Sequence, residues 1–317
     1  MKITIVTPAP PGSRVGNRIT ALRWARILRK LGHRVGVEES FLGERCDLFM
    51  ALHARRSSAS IQRFAEQCPE SPLVVGLTGT DLYNDIAHHR SAQKSLQLAW
   101  RLVVLQSMGV AEVPQSLKSK VRVIYQSVPR PTKTPPPRKG VFEVCVLGHL
   151  RSVKDPFRTA LAARQLPTTS KIQVLHLGAA LTETMRRRAL KEQSRNPRYR
   201  WLGELPRWRA LRVLARSRLL VLTSKMEGGA NAISEALAHS VPVLASRISG
   251  SLGMLGAHYP GFYPTGNTAA LAQLLESAET EATFYRTLKK HCRKRAALVR
   301  PAREQNSWKK LIEELFE

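Results

Sequence analysis

Two glutamates flank a glycine pair in the second half of the chain, in the segment Glu227-Gly-Gly-Ala-Asn-Ala-Ile-Ser-Glu235. The segment follows a predicted strand at Leu219–Thr223 and begins a predicted helix, which Pro242 helps to end. Amides at a helix N-terminus bind phosphate or sugar oxygens, and carboxylates accept hydrogen bonds from hydroxyl groups. We therefore predict a ligand site formed by both glutamates and by the amides of Gly228, Gly229, Ala230 and Asn231. Alternatively, Glu227 only favours the helix dipole and Glu235 is solvated.

A second candidate is the loop Gly148-His-Leu-Arg151-Ser-Val-Lys154, which follows the predicted strand Phe142–Leu147. Arg151 and Lys154 are separated by two residues where a strand passes into a helix, so their charges would neutralise a diphosphate. In so basic a chain, the alternative is that both are solvated surface residues.

A third candidate is the turn after the first strand, Gly12-Ser-Arg14-Val-Gly16-Asn17-Arg18. Its glycines allow close backbone approach, and Gly16 and Asn17 lie just before a helix that offers free N–H groups to an anion. The spacing is not G-x-G-x-x-G, so it does not indicate dinucleotide binding. The alternative is an ordinary strand-to-helix turn.

Strands and helices that must position these loops alternate along the chain. Apolar, β-branched runs predict first-half strands at Ile3–Thr7, Val35–Glu38, Asp47–Leu52, Leu73–Thr78, Leu102–Gln106 and Val121–Gln126. Second-half strands are predicted at Phe142–Leu147, Ile172–Leu177, Tyr199–Leu202, Leu219–Thr223 and Val241–Ala245. Amphipathic helices lie between them, such as Ile19–Leu31, where Leu22 and Leu28 share one face, and only helix is predicted after Thr268. This alternation is typical of α/β proteins with parallel sheets covered on both faces.

A proline-rich stretch, Pro129–Gly140, divides the two halves and is typical of a stiff linker. We therefore predict a Rossmann-like domain at 1–128, a linker at 129–140, a second Rossmann-like domain at 141–300, and a C-terminal helix at 301–317. We expect that helix to pack back on the N-terminal domain. Parallel sheets bind ligands beyond the carboxyl ends of their strands, so the expected site is a cleft between the domains.

Composition limits the classes of function. The 317 residues carry a formal charge of +28, which favours anionic partners. Nucleic acid is one alternative, but aromatic residues are only 6% of the chain and no zinc-finger spacing occurs. The four cysteines are far apart in sequence, as is typical of reduced thiols. With no apolar segment long enough to cross a bilayer, we expect a cytoplasmic protein.

Together, these motifs resemble the family 4 glycosyltransferases of the GT-B fold. That resemblance implies two Rossmann-like domains whose sheets face a central cleft. In the family, the first glutamate of E-x7-E (here Glu227) lies by the donor sugar, and the second (Glu235) binds the nucleotide ribose. The loop at Gly148 corresponds to the phosphate clamp G-R-x(4)-K, although His149 stands where the arginine belongs. Whether His149 or Arg151 replaces that arginine stays open. The segment Gly203-Glu204-Leu205 matches the loop that holds the base.

Longer segments in both halves, among them GNRITALRWARILRKLGHRV, LTGTDLY and SKMEGGANAISEAL, are similar to the selenosugar synthases of selenoneine biosynthesis. This resemblance implies transfer of a sugar from a UDP-sugar, expected to be UDP-N-acetylglucosamine, to selenophosphate, with formation of a carbon–selenium bond. Both compounds would be substrates, and we expect no metal or other cofactor. The alternative is a family 4 enzyme with an oxygen, nitrogen or sulfur acceptor.

An anionic acceptor requires cations, which the first half of the chain supplies. The acceptor candidates are Arg14, Arg18, His53, Arg55, Arg56 and Thr80. Arginine is suited to phosphate oxygens because its guanidinium is planar and always charged. Alternatively, Arg55 and Arg56 are surface charges, His53 is a hydrogen-bonded strand-end residue, and Thr80 caps a helix. We expect the catalytic contacts to come from His53, Arg151, Lys154 and Glu227.

Overall fold

The computed structural model describes residues 1–13, 15–131 and 134–317, and the described chain forms two compact units. Unit 1 combines Met1–Gln126 with Pro301–Glu317, and unit 2 is Ser127–Arg300. Each unit contains one six-stranded sheet in which every recorded pairing is parallel. The α/β class with two Rossmann-like parallel sheets, predicted from the sequence, is confirmed.

The sheet of unit 1 has the strand order β2-β1-β3-β4-β5-β6. Its strands are β1 (Lys2–Val6), β2 (Arg34–Glu38), β3 (Leu48–Leu52), β4 (Leu73–Leu77), β5 (Arg101–Val104) and β6 (Val121–Val123). Its first helices are α1 (Gly16–Lys30), α2 (Ser58–Gln67), α3 (Ile86–His88) and α4 (Arg90–Leu98), with a π-turn at Asp81–Asp85 and 3-10 turns at Ser107–Val110 and Gln115–Lys120. Strands β3 and β4 are central and fully buried, which explains why their sequences are continuously apolar.

The sheet of unit 2 has the order β12-β11-β10-β7-β8-β9. Its strands are β7 (Phe142–Leu147), β8 (Ile172–Leu177), β9 (Tyr199–Trp201), β10 (Leu219–Leu222), β11 (Val243–Ser246) and β12 (Phe262–Tyr263). Its helices are α5 (Arg158–Ala163), α6 (Glu183–Arg195), α7 (Arg207–Arg216), α8 (Asn231–Ala238), α9 (Ser249–Leu255), α10 (Thr268–Thr280) and α11 (Ala282–Arg295), with 3-10 turns at Ser152–Lys154 and Ala296–Val299. Because β7 and β10 are neighbours, the loops that follow them meet at the carboxyl edge of the sheet.

The last helix, α12 (Pro301–Phe316), belongs to unit 1. Trp308 packs edge-on against Trp24 of α1, with ring centroids 4.7 Å apart. At the other end of the helix, Glu314 accepts hydrogen bonds from Arg101 and Arg122. The hydrogen bond from Arg122 is the main reason why the pKa of Glu314 lies below its ordinary value.

Several predicted element boundaries differ from those observed. Strand β12 was missed because a two-residue edge strand leaves no periodic signal. Strand β11 begins at Val243 rather than Val241, since Pro242 has no N–H to donate to a sheet. Helix α1 begins at Gly16 rather than Ile19, and Leu22 is 44% exposed instead of facing the core.

Candidate active site

The loops after β7 and β10 are joined by backbone and side-chain contacts. The Thr223 hydroxyl donates to the Lys154 carbonyl at 2.7 Å, and the Lys225 N–H donates to the Val153 carbonyl at 2.8 Å. Across this junction, the Lys154 ammonium forms an ion pair with Glu227 Oε1. The Ser224 hydroxyl donates to the same oxygen at 2.6 Å. The structure therefore brings together two predicted site residues that are 73 positions apart in the chain.

Two glycines allow the close packing of these loops. A Cβ at Gly250, on α9, would lie 2.2 Å from the Glu227 carbonyl oxygen. A Cβ at Gly178, after β8, would lie 2.0 Å from the Gly148 carbonyl oxygen. Real Cβ atoms do not approach oxygen this closely, so any side chain at either position would displace the backbone of a predicted site loop.

His149 and Arg151, the two candidates to replace the arginine of the family's phosphate clamp, lie in different environments. His149 Nδ1 accepts a hydrogen bond from the Ala179 N–H at 3.0 Å, so this side chain holds the loop after β8. Arg151 is exposed, and the described residues provide it with no ion-pair partner. Of the two side chains, Arg151 is the one whose charge stays available to a ligand. The structure thus favours Arg151, although its role as a phosphate ligand stays a prediction.

Behind the Gly148 loop, a buried histidine fixes the backbone. His176 Nε2 lies 3.1 Å from the Gly148 carbonyl oxygen, and its Nδ1 lies 3.0 Å from the Tyr199 hydroxyl. Burial lowers the pKa of His176 to about 4, so the ring is neutral at pH 7. In the neutral form, Nε2–H donates to Gly148 and Nδ1 accepts from Tyr199. His176 thus holds the backbone of the loop predicted to bind phosphate.

The second glutamate of the motif is almost fully buried on α8. Glu235 is 9% exposed, and Oε1 accepts a hydrogen bond from the Arg207 guanidinium. At the start of α8, Gly228, Gly229 and Ala230 are buried and Asn231 is half-buried. Ala230 has a φ of 39°, a left-handed conformation that is strained for a residue with a Cβ. The alternative of a solvated Glu235 is wrong, because its carboxylate is buried against a cation.

The predicted base loop leads directly to the partner of Glu235. Gly203 has a φ of 66°, and its carbonyl accepts a hydrogen bond from the Gly178 N–H at 2.8 Å. Glu204 is exposed, Leu205 is half-buried, and Arg207 begins α7 two residues later. The loop predicted to hold the base and the glutamate predicted to bind the ribose are therefore linked through Arg207.

In unit 1, His53 is a buried residue of the loop after β3. It is 2% exposed and has a φ of 75°. The Arg56 N–H lies 3.3 Å from Nδ1, and the Thr80 hydroxyl lies 3.1 Å from Nε2. Burial lowers the pKa of His53 below its ordinary value. In the neutral tautomer that fits these distances, Nδ1 accepts a hydrogen bond from the Arg56 N–H, and Nε2–H donates one to the Thr80 hydroxyl oxygen. This agrees with the alternative in which His53 is a hydrogen-bonded residue at a strand end.

The two arginines after His53 differ in their contacts. Arg55 Nη1 lies 3.2 Å from an oxygen of buried Asp85 and 2.8 Å from His89 Nε2. Arg56 is exposed, and no acidic residue in the described chain pairs with its side chain. Thr80 is exposed and makes no side-chain cap. Asp81 next to it accepts from the backbone N–H groups of Ala54, Thr78 and Gly79.

The turn after β1 supplies the remaining candidates. Arg18 is only 9% exposed, and its Nε and Nη1 atoms have no hydrogen-bond partner among the described residues. Gly16 is exposed, and a Cβ there would contact nothing within 4 Å, so sterics do not require glycine. Asn17 is half-buried. Arg14, the other predicted acceptor ligand, lies outside the described residues.

Sequence reasoning missed five residues that hold the site: His176, Gly178, Arg207, Ser224 and Gly250. Arg207 lies in NPRYRWLGELPRWRAL, one of the long segments that carry the resemblance, and this segment was the available signal. Ser224 directly follows Thr223, the last residue of a predicted strand, so its position as a polar residue at a strand end was also an available signal. His176 and Gly250 gave no local signal.

Comparison with solved structures identifies the fold. HepE from Anabaena, solved with UDP and glucose, has a TM-score of 0.79 at 15% identity, covering 99% of this chain and 100% of that chain. Sucrose-phosphate synthase from Thermosynechococcus elongatus has a TM-score of 0.77 at 16% identity, covering 99% of each chain. The pneumococcal O-GlcNAc transferase GtfA, solved with UDP and GlcNAc, has a TM-score of 0.66 at 14% identity, covering 95% of this chain and 61% of that chain.

The fold class is therefore that of the GT-B glycosyltransferases. The sequence model of the family "Glycosyl transferases group 1" matches residues 132–297, which is just over half of the chain. This chain belongs to that glycosyltransferase family. Within the part of the chain that the structure describes, none of the helices has the length and apolar character needed to cross a membrane.

Proposed function

We propose that this glycosyltransferase moves a sugar, N-acetylglucosamine, from its UDP derivative to selenophosphate. The donor half of the proposal is supported by solved neighbours bound to UDP, to UDP-glucose, or to UDP and GlcNAc. The acceptor half is supported by the resemblance to selenosugar synthases and by the cations of unit 1. We further propose that the enzyme acts in the cytoplasm, where its four free thiols and a selenium nucleophile would stay reduced.

The single observation that carries the donor assignment is the Lys154–Glu227 ion pair between the two loops. In the reaction, selenium forms a bond to the anomeric carbon while the bond from that carbon to the UDP oxygen breaks. UDP leaves with the electron pair, so negative charge grows on its phosphates. We assign Lys154 and Arg151, with the amides of Gly228 and Gly229, to stabilise that charge. Glu235 would accept the ribose hydroxyls.

The acceptor assignment rests on which cation remains available in unit 1. Arg56 is exposed and unpaired among the described residues, whereas Arg55 already contacts Asp85 and His89. We assign Arg56 to the acceptor phosphate, with Arg18 as a buried second cation. His53 would act through its hydrogen bond to Thr80 rather than as a base, because a selenium anion needs no deprotonation.

A mass-spectrometric assay tests the proposal. The full chain is incubated with UDP-N-acetylglucosamine and one acceptor at a time. The acceptors are selenophosphate, thiophosphate, phosphate, and a panel of alcohols, amines and thiols, and UDP release and sugar products are measured. We expect UDP release with selenophosphate and a product that carries selenium on the anomeric carbon. UDP release only with an alcohol, amine or thiol acceptor would contradict the selenophosphate assignment and leave the glycosyltransferase intact. Absence of UDP binding by calorimetry would overturn the donor assignment.

A further inference from the structure

A separate cavity lies at the opposite edge of the unit 2 sheet from the glycine-rich loops. Its volume is about 390 Å³, and its lining includes Ser217 and Arg218, which precede β10, and Val241 and Pro242, which precede β11. Strands β10 and β11 are parallel, so these residues lie at their amino ends, whereas Gly228 and Glu227 follow the carboxyl end of β10. The cavity is therefore separate from the donor site.

Among the described residues that line the cavity, several are basic and none is acidic. Four cations contribute to it: Arg130, Arg218, Lys289 and Arg293. Throughout the described ranges, no carboxylate forms an ion pair with any of them. Neighbouring Arg216, by contrast, is paired with the buried Glu143 at 3.0 Å. Protein surfaces intersperse charges of both signs, so four unpaired cations around one cavity favour an anionic ligand.

We propose that this cavity binds a small molecule that carries at least two phosphate groups. Guanidinium groups suit phosphate oxygens because their donors are arranged in a planar fork, and the three arginines bring three such groups. The volume lies in the range of small-molecule pockets, about 300–1,000 Å³. Single-stranded nucleic acid is less suited, because its binding sites stack successive bases on aromatic side chains, and the described lining offers only the rings of Tyr285 and His239.

Calorimetric titration of the full chain with inorganic tripolyphosphate tests this site. Saturating UDP occupies the donor site, and salt at about 0.15 M screens non-specific attraction. We expect one saturable site. The double variant Arg218→Gln/Arg293→Gln should bind tripolyphosphate at least about tenfold more weakly, because two charge-assisted contacts are lost. Its UDP affinity, measured separately, reports that unit 2 is folded.

The matched control is Lys191→Gln/Arg195→Gln on α6, which removes the same charge at exposed positions. Its affinity for tripolyphosphate should stay within about twofold of the unaltered chain, because the surface field falls off within a Debye length. Equal weakening in both double variants would show that only net charge matters and would overturn the proposal. Absence of saturable binding by the unaltered chain would overturn it as well.

Discussion

The loops at the strand ends of the two units differ in whether their charged side chains have ion-pair partners. In unit 2, Lys154 is paired with Glu227, and Arg207 with Glu235, so each carboxylate of the E-x7-E motif already has a cation. In unit 1, the buried carboxylates Asp81 and Asp85 are also satisfied, yet Arg56 stays exposed without an acidic partner in the described chain.

This difference separates two ways of preparing a site for an anion. Paired side chains are held in place before a ligand arrives, which lowers the reorganisation needed when charge develops in a transition state. An unpaired exposed arginine keeps its full charge for binding but must be ordered by the ligand. We therefore expect the paired Lys154 to affect turnover most and the unpaired Arg56 to affect acceptor binding.

The largest expected effect comes from Lys154→Ala. This change removes a positioned cation from the leaving group and leaves Glu227 without it, so kcat should fall by about 100-fold or more, with a smaller change in UDP affinity. Steady-state kinetics and UDP calorimetry give the two values. Lys225→Ala, an exposed lysine on the adjoining loop, is the matched control and should keep kcat within about twofold. Equal losses of kcat and UDP affinity would mean that Lys154 binds ground state and transition state alike.

His176 gives a pH test of the unit 2 loops. Its folded pKa of about 4 lies below its ordinary value of 6.5, so the unfolded state binds the proton first. Its contribution to stability is complete above pH 6.5 and is lost as the pH falls towards 4. The integrated loss is about 3 kcal/mol. The loss can be measured by urea denaturation at several pH values, as the difference in unfolding free energy between the unaltered chain and His176→Gln. The glutamine keeps a hydrogen-bond donor for the Gly148 carbonyl but does not titrate. Identical pH dependence in both proteins would contradict the buried neutral ring.

Glu235→Ala should weaken UDP binding. The ribose hydroxyls lose a charged acceptor worth about 1.5–3 kcal/mol, which corresponds to roughly 10-fold to 150-fold in Kd. Calorimetry with UDP checks the value. Arg207→Ala distinguishes positioning from ribose contact, because it frees Glu235 without removing the acceptor. UDP affinity that is unchanged in Glu235→Ala would disprove the ribose assignment.

The smallest expected effect belongs to the proposed acceptor cations. Arg56→Gln should raise the selenophosphate KM by about tenfold and leave the UDP Kd within about twofold, because one charge-assisted contact is lost. Arg55→Gln should raise the KM less, since Arg55 is already engaged by Asp85 and His89. If neither substitution changes acceptor kinetics, the assignment of Arg56 to the acceptor phosphate is wrong. Arg18 then becomes the strongest candidate for the cation that binds the acceptor.

Sequence patterns predicted the core strands well and the cross-chain contacts poorly. Strands β7 and β8 have the predicted bounds, because mostly apolar runs that end just before a glycine, Gly148 or Gly178, give a strong local signal. The pairing of Lys154 with Glu227 follows from the adjacency of β7 and β10, which the sequence does not encode locally. Gly250 is required by a backbone contact with Glu227, and such a contact depends on the path of α9 rather than on neighbouring residues.

The return of α12 to unit 1 has a consequence for synthesis of the chain on the ribosome. Trp24 precedes unit 2 in the sequence, but its partner Trp308 emerges only after all of unit 2 has been made. Until then, the apolar surface of α1 and the sheet beneath it stays uncovered, and Arg101 and Arg122 lack Glu314. Unit 2 is continuous in sequence and can fold as it emerges, whereas unit 1 must wait. We therefore expect nascent Met1–Gln126 to expose apolar surface that chaperones would protect until α12 has been made.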